Sequence, residues 1–149
     1  MSGTALEMKF EDGPLRSHLA RLSARQEWTK ARRSIGEYMR ADIQDNLDGQ
    51  KLFDGSAMPQ SKAAIKRKGK TLIKDHHLYD SYTFNLKQGG LEVGSNSAYA
   101  RIHHFGGETG RTGHRFRMVA RPVMGIAIRQ ELQIGYLVTQ AIRDIENAQ

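Results

Sequence analysis

Cysteine is absent from the 149 residues, which excludes disulfide staples and every metal site built on thiolates. A chain of this length is read as one domain, residues 1–149, with a radius of gyration of roughly 15 Å. It buries enough surface to do without staples. Long apolar runs are also missing: nothing approaches the ~18 consecutive apolar residues that cross a bilayer. Met1 to Phe10 has neither the basic nor the apolar region that opens a secretory signal. These absences predict a soluble chain made in a reducing interior. Aromatics are 7% of the residues and do not alternate with the cations, so a single-strand stacking platform is not indicated. GGETGRTG has glycines but neither the Lys-Ser/Thr pair nor the strand-to-helix setting of a phosphate loop, and reads as a hairpin tip. There is no serine nucleophile elbow, internal repeat or low-complexity tract.

What is abundant is positive charge. The formal net charge is +7 and the pI about 9.9, a balance that favours nucleic acid or an acidic protein surface. The excess is clustered. Lys62, Lys66, Arg67, Lys68 and Lys70 crowd one short stretch without an acid, and Arg101, Arg111, Arg115, Arg117 and Arg121 share another whose one acid is Glu108. The first cluster reads either as a solvated loop or as a basic surface facing DNA or an assembly partner.

The periodicity predicts an α+β fold: N-terminal helices, a central antiparallel sheet with a long mobile loop, and a C-terminal helix packed on the sheet. Residues 4–10 alternate loosely, as an edge strand does. Asp12 is placed to cap a helix carrying Pro14 in its first turn, and Leu15, Leu19 and Leu22 form its stripe. A longer helix is expected from Trp28 to Leu47, with Ala31, Ile35, Met39, Ile43 and Leu47 on its apolar side. Asp42, Asp45 and Asp48 are assigned to its polar side. Residues 48–74 lack periodicity and are expected to form an extended, mobile loop with a helical turn near Ser61 to Arg67. The period then becomes two: Tyr82, Phe84 and Leu86 point one way, KQGG turns the chain, and LEVGS returns. Ala98 to Phe105 is a short helix stopped by Gly106 and Gly107. Phe116 and Met118 alternate with Arg115 and Arg117. A final helix spans Arg129 to Asn147 along Ile134, Val138, Ala141, Ile142 and Ile145.

The stretch SNSAYARIHHFGG decides between chemistry and packing. Adjacent histidines diverge by about 100° on a helix and face opposite sides of a strand, so neither His76–His77 nor His103–His104 chelates by itself. A composite site taking one ring from each pair lacks any spaced His/Asp partner. A metal-dependent His-Asn-His endonuclease is the runner-up: Asp75-His76 would open the site with His76 as base, Asn96 would orient it, and His104 would hold the metal. Against it, the glycine pair ends the helix that should carry the last histidine. The preferred reading is structural. Tyr99, Ile102 and His103 share one helix face, placing His103 partly inside and His104 nearer solvent. No acid pair sits in the apolar setting that acid–base catalysis usually uses. No catalytic residue, metal ligand or cofactor is assigned.

The ordered series LYDSYTF, LEVGSNSAYARIHHFGG and ARPVMGI resembles the phage virion morphogenesis family, which includes tail completion proteins and Mu G-like assembly proteins. The matching positions are Leu78 and Ser81; Val93, Gly94 and Asn96; Tyr99, Ala100, Ile102, His103, Phe105 and Gly106; and Ala120, Arg121, Pro122 and Gly125. His104 stands where the family usually has Gln, and Val123-Met124 where it has Phe-Leu. The family's Pro-x-Gly-x-x-Trp signature is not recognisable around FDGSAMPQS. The resemblance covers roughly residues 25 to 147. It implies a non-enzymatic structural protein of a tailed-phage virion or prophage, assembled in the host cytoplasm and working at the head–tail junction or in tail completion. It further implies a ring-like homo-oligomer, a hexamer being one candidate size, whose partners are neighbouring connector or tail proteins and packaged DNA.

Overall fold

The helical period that starts near Trp28 becomes the central beam of the molecule. In the computed structural model, which describes residues 13–22 and 25–148, helix α2 (Arg25–Asp48) runs on beyond both expected ends. Ala31, Met39, Ile43 and Leu47 are buried along it, the last two completely. It stops where Gly49 N–H bonds Asp45 O at 2.8 Å and Gln50 turns left-handed at φ 53. The N-terminal helix α1 (Gly13–Leu22) precedes it. Its Leu15 and Leu19 remain exposed, so that stripe is not part of the core. Residues 4–10 and Asp12, read as a strand and a cap, lie outside the described residues.

One side of α2 carries a hairpin. Strands β1 (Tyr82–Lys87) and β2 (Gly90–Ser95) pair antiparallel from Tyr82 opposite Ser95 to Lys87 opposite Gly90. Tyr82, Phe84 and Leu86 turn inward while Thr83, Asn85 and Lys87 are exposed, as the two-residue period predicts. Gly36 is what lets this hairpin approach. The Phe84 ring lies where a β-carbon on Gly36 would sit, so the absent side chain sets the helix–strand spacing.

The other side of α2 carries the C-terminal helix. The sequence pattern predicts a C-terminal helix on the sheet, but α6 (Ile128–Asn147) packs along α2 instead, and α2 lies between it and the hairpin. The chain is α+β, but helix and sheet share α2 as their common partner. The reason is a buried polar joint. Asp42, read as part of a solvated face, is only 3% exposed, and Gln130 is fully buried. Gln130 Nε2 donates to Asp42 Oδ2 at 3.0 Å and to Phe53 O at 2.7 Å, while its Oε1 accepts from Ala127 N–H at 2.9 Å. Asn46 Nδ2 donates to Val123 O at 3.0 Å, and Arg129 bonds both the Asp42 carboxylate and Asn46 Oδ1. With donors and acceptors matched, burial of these groups is tolerated and fixes the helix register.

The expected single sheet is two separate two-stranded ladders. Helix α5 (Ala100–Phe105) follows β2 and redirects the chain into a small hairpin, β3 (Gly107–Thr109) with β4 (Phe116–Met118). GGETGRTG spans β3 and the turn of this hairpin, close to the tip read from sequence.

Residues 48–74 are not extended. The Gln50 side chain imitates a strand: Nε2 donates to Thr71 O at 3.1 Å and Oε1 accepts from Thr71 N–H at 2.7 Å. Thr71 is buried, and its Oγ1 accepts from Ser61 N–H at 3.1 Å. Ser61 then caps helix α3 (Lys62–Arg67) by accepting from Ala64 N–H, and Lys68 closes it in a left-handed turn. Met58 and Ala64 are buried, Met58 joining Ile43, Leu47, Tyr82 and Val123 in the core. The missing period misled because side-chain amides and single apolar anchors, not a continuous stripe, hold this segment down. Among the described residues no helix is long and apolar enough to cross a membrane.

Candidate functional site

Helix α5 is short because Gly106 ends it at φ 68. A β-carbon there would meet Met118 O and Ala120 N at 2.7 Å, so glycine is required both by conformation and by the strand crossing behind it. That crossing is tied at once: Arg121 N–H donates to His103 O at 2.7 Å. The Arg121 side chain is 5% exposed and binds carbonyls rather than an acid. Its Nε donates to Pro59 O at 2.6 Å and its Nη1 to Val119 O at 3.2 Å, with a longer Nη2 contact to Gln60 O at 3.5 Å. One arginine therefore joins the α5–β4 unit to the 48–74 segment.

Between these two parts lies an open cleft of about 770 Å³. Leu72, Leu78, Met118 and Val119 give it an apolar lining, with His103 and Arg121 behind them. Lys62, Arg67, Lys74 and Arg117 stand around it, with Asp75 the one acid. Helix α4 (His77–Ser81) contributes a further wall, its cap His76 held left-handed at φ 60. The cleft is thus apolar inside and cationic around, suited to an apolar ridge that carries negative charge beside it.

The residues selected from sequence divide between locations. Tyr99, His103, Arg121, Lys62 and Arg67 line the cleft. Ile102, Phe105 and Gly106 border a separate hollow of about 310 Å³. Ala100 is buried, and Pro122 O accepts from Phe53 N–H at 3.1 Å. Lys66, Lys68 and Lys70 are exposed outside the cleft, where Lys70 Nζ donates to Asp48 O at 2.7 Å. Tyr99 departs from its assignment to the inward face: it starts α5 and is 70% exposed. Removing its ring would alter the cleft wall rather than the core.

The nuclease set is not brought together. His76 borders the cleft and meets Tyr79 edge-on at 5.5 Å. Asn96 is exposed and does not line it, and His104 packs edge-on against Phe105 at 4.7 Å. Among the described residues no group of three or more His, Asp or Glu is placed to hold a metal ion.

His103 is half-buried, and its Nδ1 has no hydrogen-bond partner among the described residues. Burial first, and the Arg121 charge second, hold its pKa below the usual 6.5; burial does the same to His104. Protonation is therefore easier in the unfolded chain. The unfolded state binds more protons as pH falls below about 6.5, and stability falls with it. The melting temperature is expected to be level above pH 7 and to decline as pH falls below about 6.5. His103→Gln should flatten that decline, and adding His104→Gln should flatten it further; an unchanged slope in the double variant would refute the assignment.

Two features were not singled out from sequence. Asp42 and Asn46 stand four apart beside the apolar stripe of α2, the one sign that they face inward. Ile128, Leu132 and Tyr136 form a second stripe on α6, exposed at 75%, 70% and 57%. It is uncovered because the inward stripe already satisfies α2.

Comparison with known proteins adds the biological setting. Residues 10–143 match the model of the phage virion morphogenesis family. The chain is also 31% identical over 102 residues to the Mu-like prophage FluMu G protein 2 of Haemophilus influenzae, covering 68% of this chain and 69% of that one. No solved structure matches it.

Proposed function

The chain belongs to the phage virion morphogenesis family, and from that premise we propose that it acts at the head–tail junction or in tail completion as a ring-like homo-oligomer. Its work is surface burial rather than turnover. It is made in the host cytoplasm and ends in the virion, against connector or tail proteins. The observation carrying this reading is the uncovered stripe Ile128, Leu132 and Tyr136, an apolar strip on a helix whose other side is already packed. Contiguous apolar surface of this kind marks contact with another protein. The exposed cations Lys62, Lys66, Lys68 and Lys70 supply a second, DNA-facing or acid-facing surface. Contact with packaged DNA would be directed at phosphates and weaken as salt rises.

Sedimentation of the purified chain across a wide concentration range tests the ring. The expected result is one discrete oligomer of several subunits, or its appearance when a neighbouring head or tail protein is added. A monomer at every concentration, with and without those proteins, would overturn the reading.

A further inference from the structure

Resting on the ring reading, we propose that the outer face of α6 in one copy, carrying Ile128, Leu132 and Tyr136, seats in the basic cleft of the next copy. The ring is then built from a single head-to-tail contact. Three observations point to this pairing. The stripe repeats every four residues, so it forms a ridge about 12 Å long from first to last. The cleft, about 770 Å³ and open to solvent, has an apolar lining of Leu72, Leu78, Met118 and Val119, the kind of groove into which the apolar face of a helix is laid.

Charge chooses the partner. Each copy carries +7, so copies repel unless the contact sets opposite signs across from each other. Beside the ridge stand the exposed acids Glu131 and Asp54, Asp54 kept ionised by two hydrogen bonds from Ser56. The nearby cation Arg129 is occupied with Asp42 and Asn46. Around the cleft stand Lys62 and Arg117, while Lys74 is paired with the cleft's one acid, Asp75, at 3.8 Å, so the net charge there stays positive. Ridge against ridge would face acid with acid, and cleft against cleft would face cation with cation. Ridge into cleft alone sets unlike charges opposite each other. Geometry agrees: two like patches close as a two-fold dimer and stop, whereas two unlike patches propagate from copy to copy and make a ring when the rotation between copies closes.

Mixing two exposed-surface variants tests this. Leu132→Asp removes the ridge and leaves the cleft; Val119→Asp spoils the cleft and leaves the ridge. Each alone is expected to sediment as a monomer with a circular dichroism melt close to the parent's. Mixed one to one, they should form a heterodimer and nothing larger, because one good contact remains. Rings from either variant alone would overturn the pairing. A mixture that stays monomeric while the parent forms rings would overturn it too, leaving the ring reading intact; a parent that never assembles would sink both.

Charge exchange covers the case in which an aspartate disturbs folding. Glu131→Lys or Arg117→Glu alone should weaken assembly at least tenfold, and the two together in one chain should restore most of it. Loss without restoration would overturn the pairing. So would a Val119→Asp chain that still forms rings but no longer binds a neighbouring head or tail protein, since the cleft would then belong to that partner.

Discussion

Asp42→Ala lowers the free energy of unfolding by about 2–4 kcal/mol, enough to move a urea midpoint by on the order of 1–2 M. The carboxylate has 2% of its side-chain surface exposed and accepts from Gln130, Asn46 and Arg129. Removing one partner from a buried ion pair is usually worth about 3–5 kcal/mol. Here the figure is reduced because the Arg129 side chain is 53% exposed and recovers water when its partner goes. The damage comes from the amides. Gln130 is fully buried and loses the acceptor for one N–H, and Asn46 loses a weak 3.4 Å contact. Gln130→Ala should do comparable harm, since it leaves Phe53 O, Ala127 N–H and Asp42 short of partners together. The double variant should fall short of the sum by about 1 kcal/mol or more, as residues of one network do. A loss below 1 kcal/mol for Asp42→Ala would mean that α6 is held by its apolar stripe alone.

The parts of the fold visible in the sequence are those where burial follows one period. The α2 stripe from Ala31 to Leu47, the alternation of Tyr82, Phe84 and Leu86, and the α6 stripe through Val138 and Ile145 each repeat a side-chain pattern long enough to stand out. The short helix at 100–105 was legible through the glycines that stop it. Position in space was not legible. That α6 lies on α2 depends on Gln130 reaching Asp42 across 88 residues of chain, and no local pattern records such a pairing. In the 48–74 segment the helical turn near Ser61 to Arg67 was legible and is α3, but its anchors were not: Gln50, Thr71 and Ser61 are polar, and polar residues without a period read as solvent-facing. The cleft was half visible. His103 and Arg121 were marked as structural positions, and Lys62 and Arg67 as a basic surface. Their convergence needed the left-handed turns at Lys68, Leu72 and His76, three non-glycine residues at φ 55, 64 and 60.

Arg121→Met is the second large effect, a loss of about 2–3 kcal/mol with the apolar volume largely kept. Hydrogen bonds from a charged donor contribute about 1.5–3 kcal/mol each, and the guanidinium makes two of good geometry, at 2.6 Å to Pro59 O and 3.2 Å to Val119 O. The contacts to Gln60 O at 3.5 Å and Met118 Sδ at 3.9 Å add little. Methionine escapes the penalty of burying a cation, which is why the net loss stays below the sum of the bonds. Arg121→Lys should rescue little, because one ammonium cannot reach carbonyls that the planar guanidinium meets from separate nitrogens. The decisive readout is the imidazole of His103. Burial and the Arg121 charge both depress its pKa, so in Arg121→Met the charge contribution vanishes and burial remains. Its titration, followed by NMR, should move part of the way back toward 6.5 and no further. An unmoved titration would mean that the guanidinium does not act on that ring. A full return would mean that the cleft wall has opened and that Arg121 alone was keeping the 48–74 segment closed over α5.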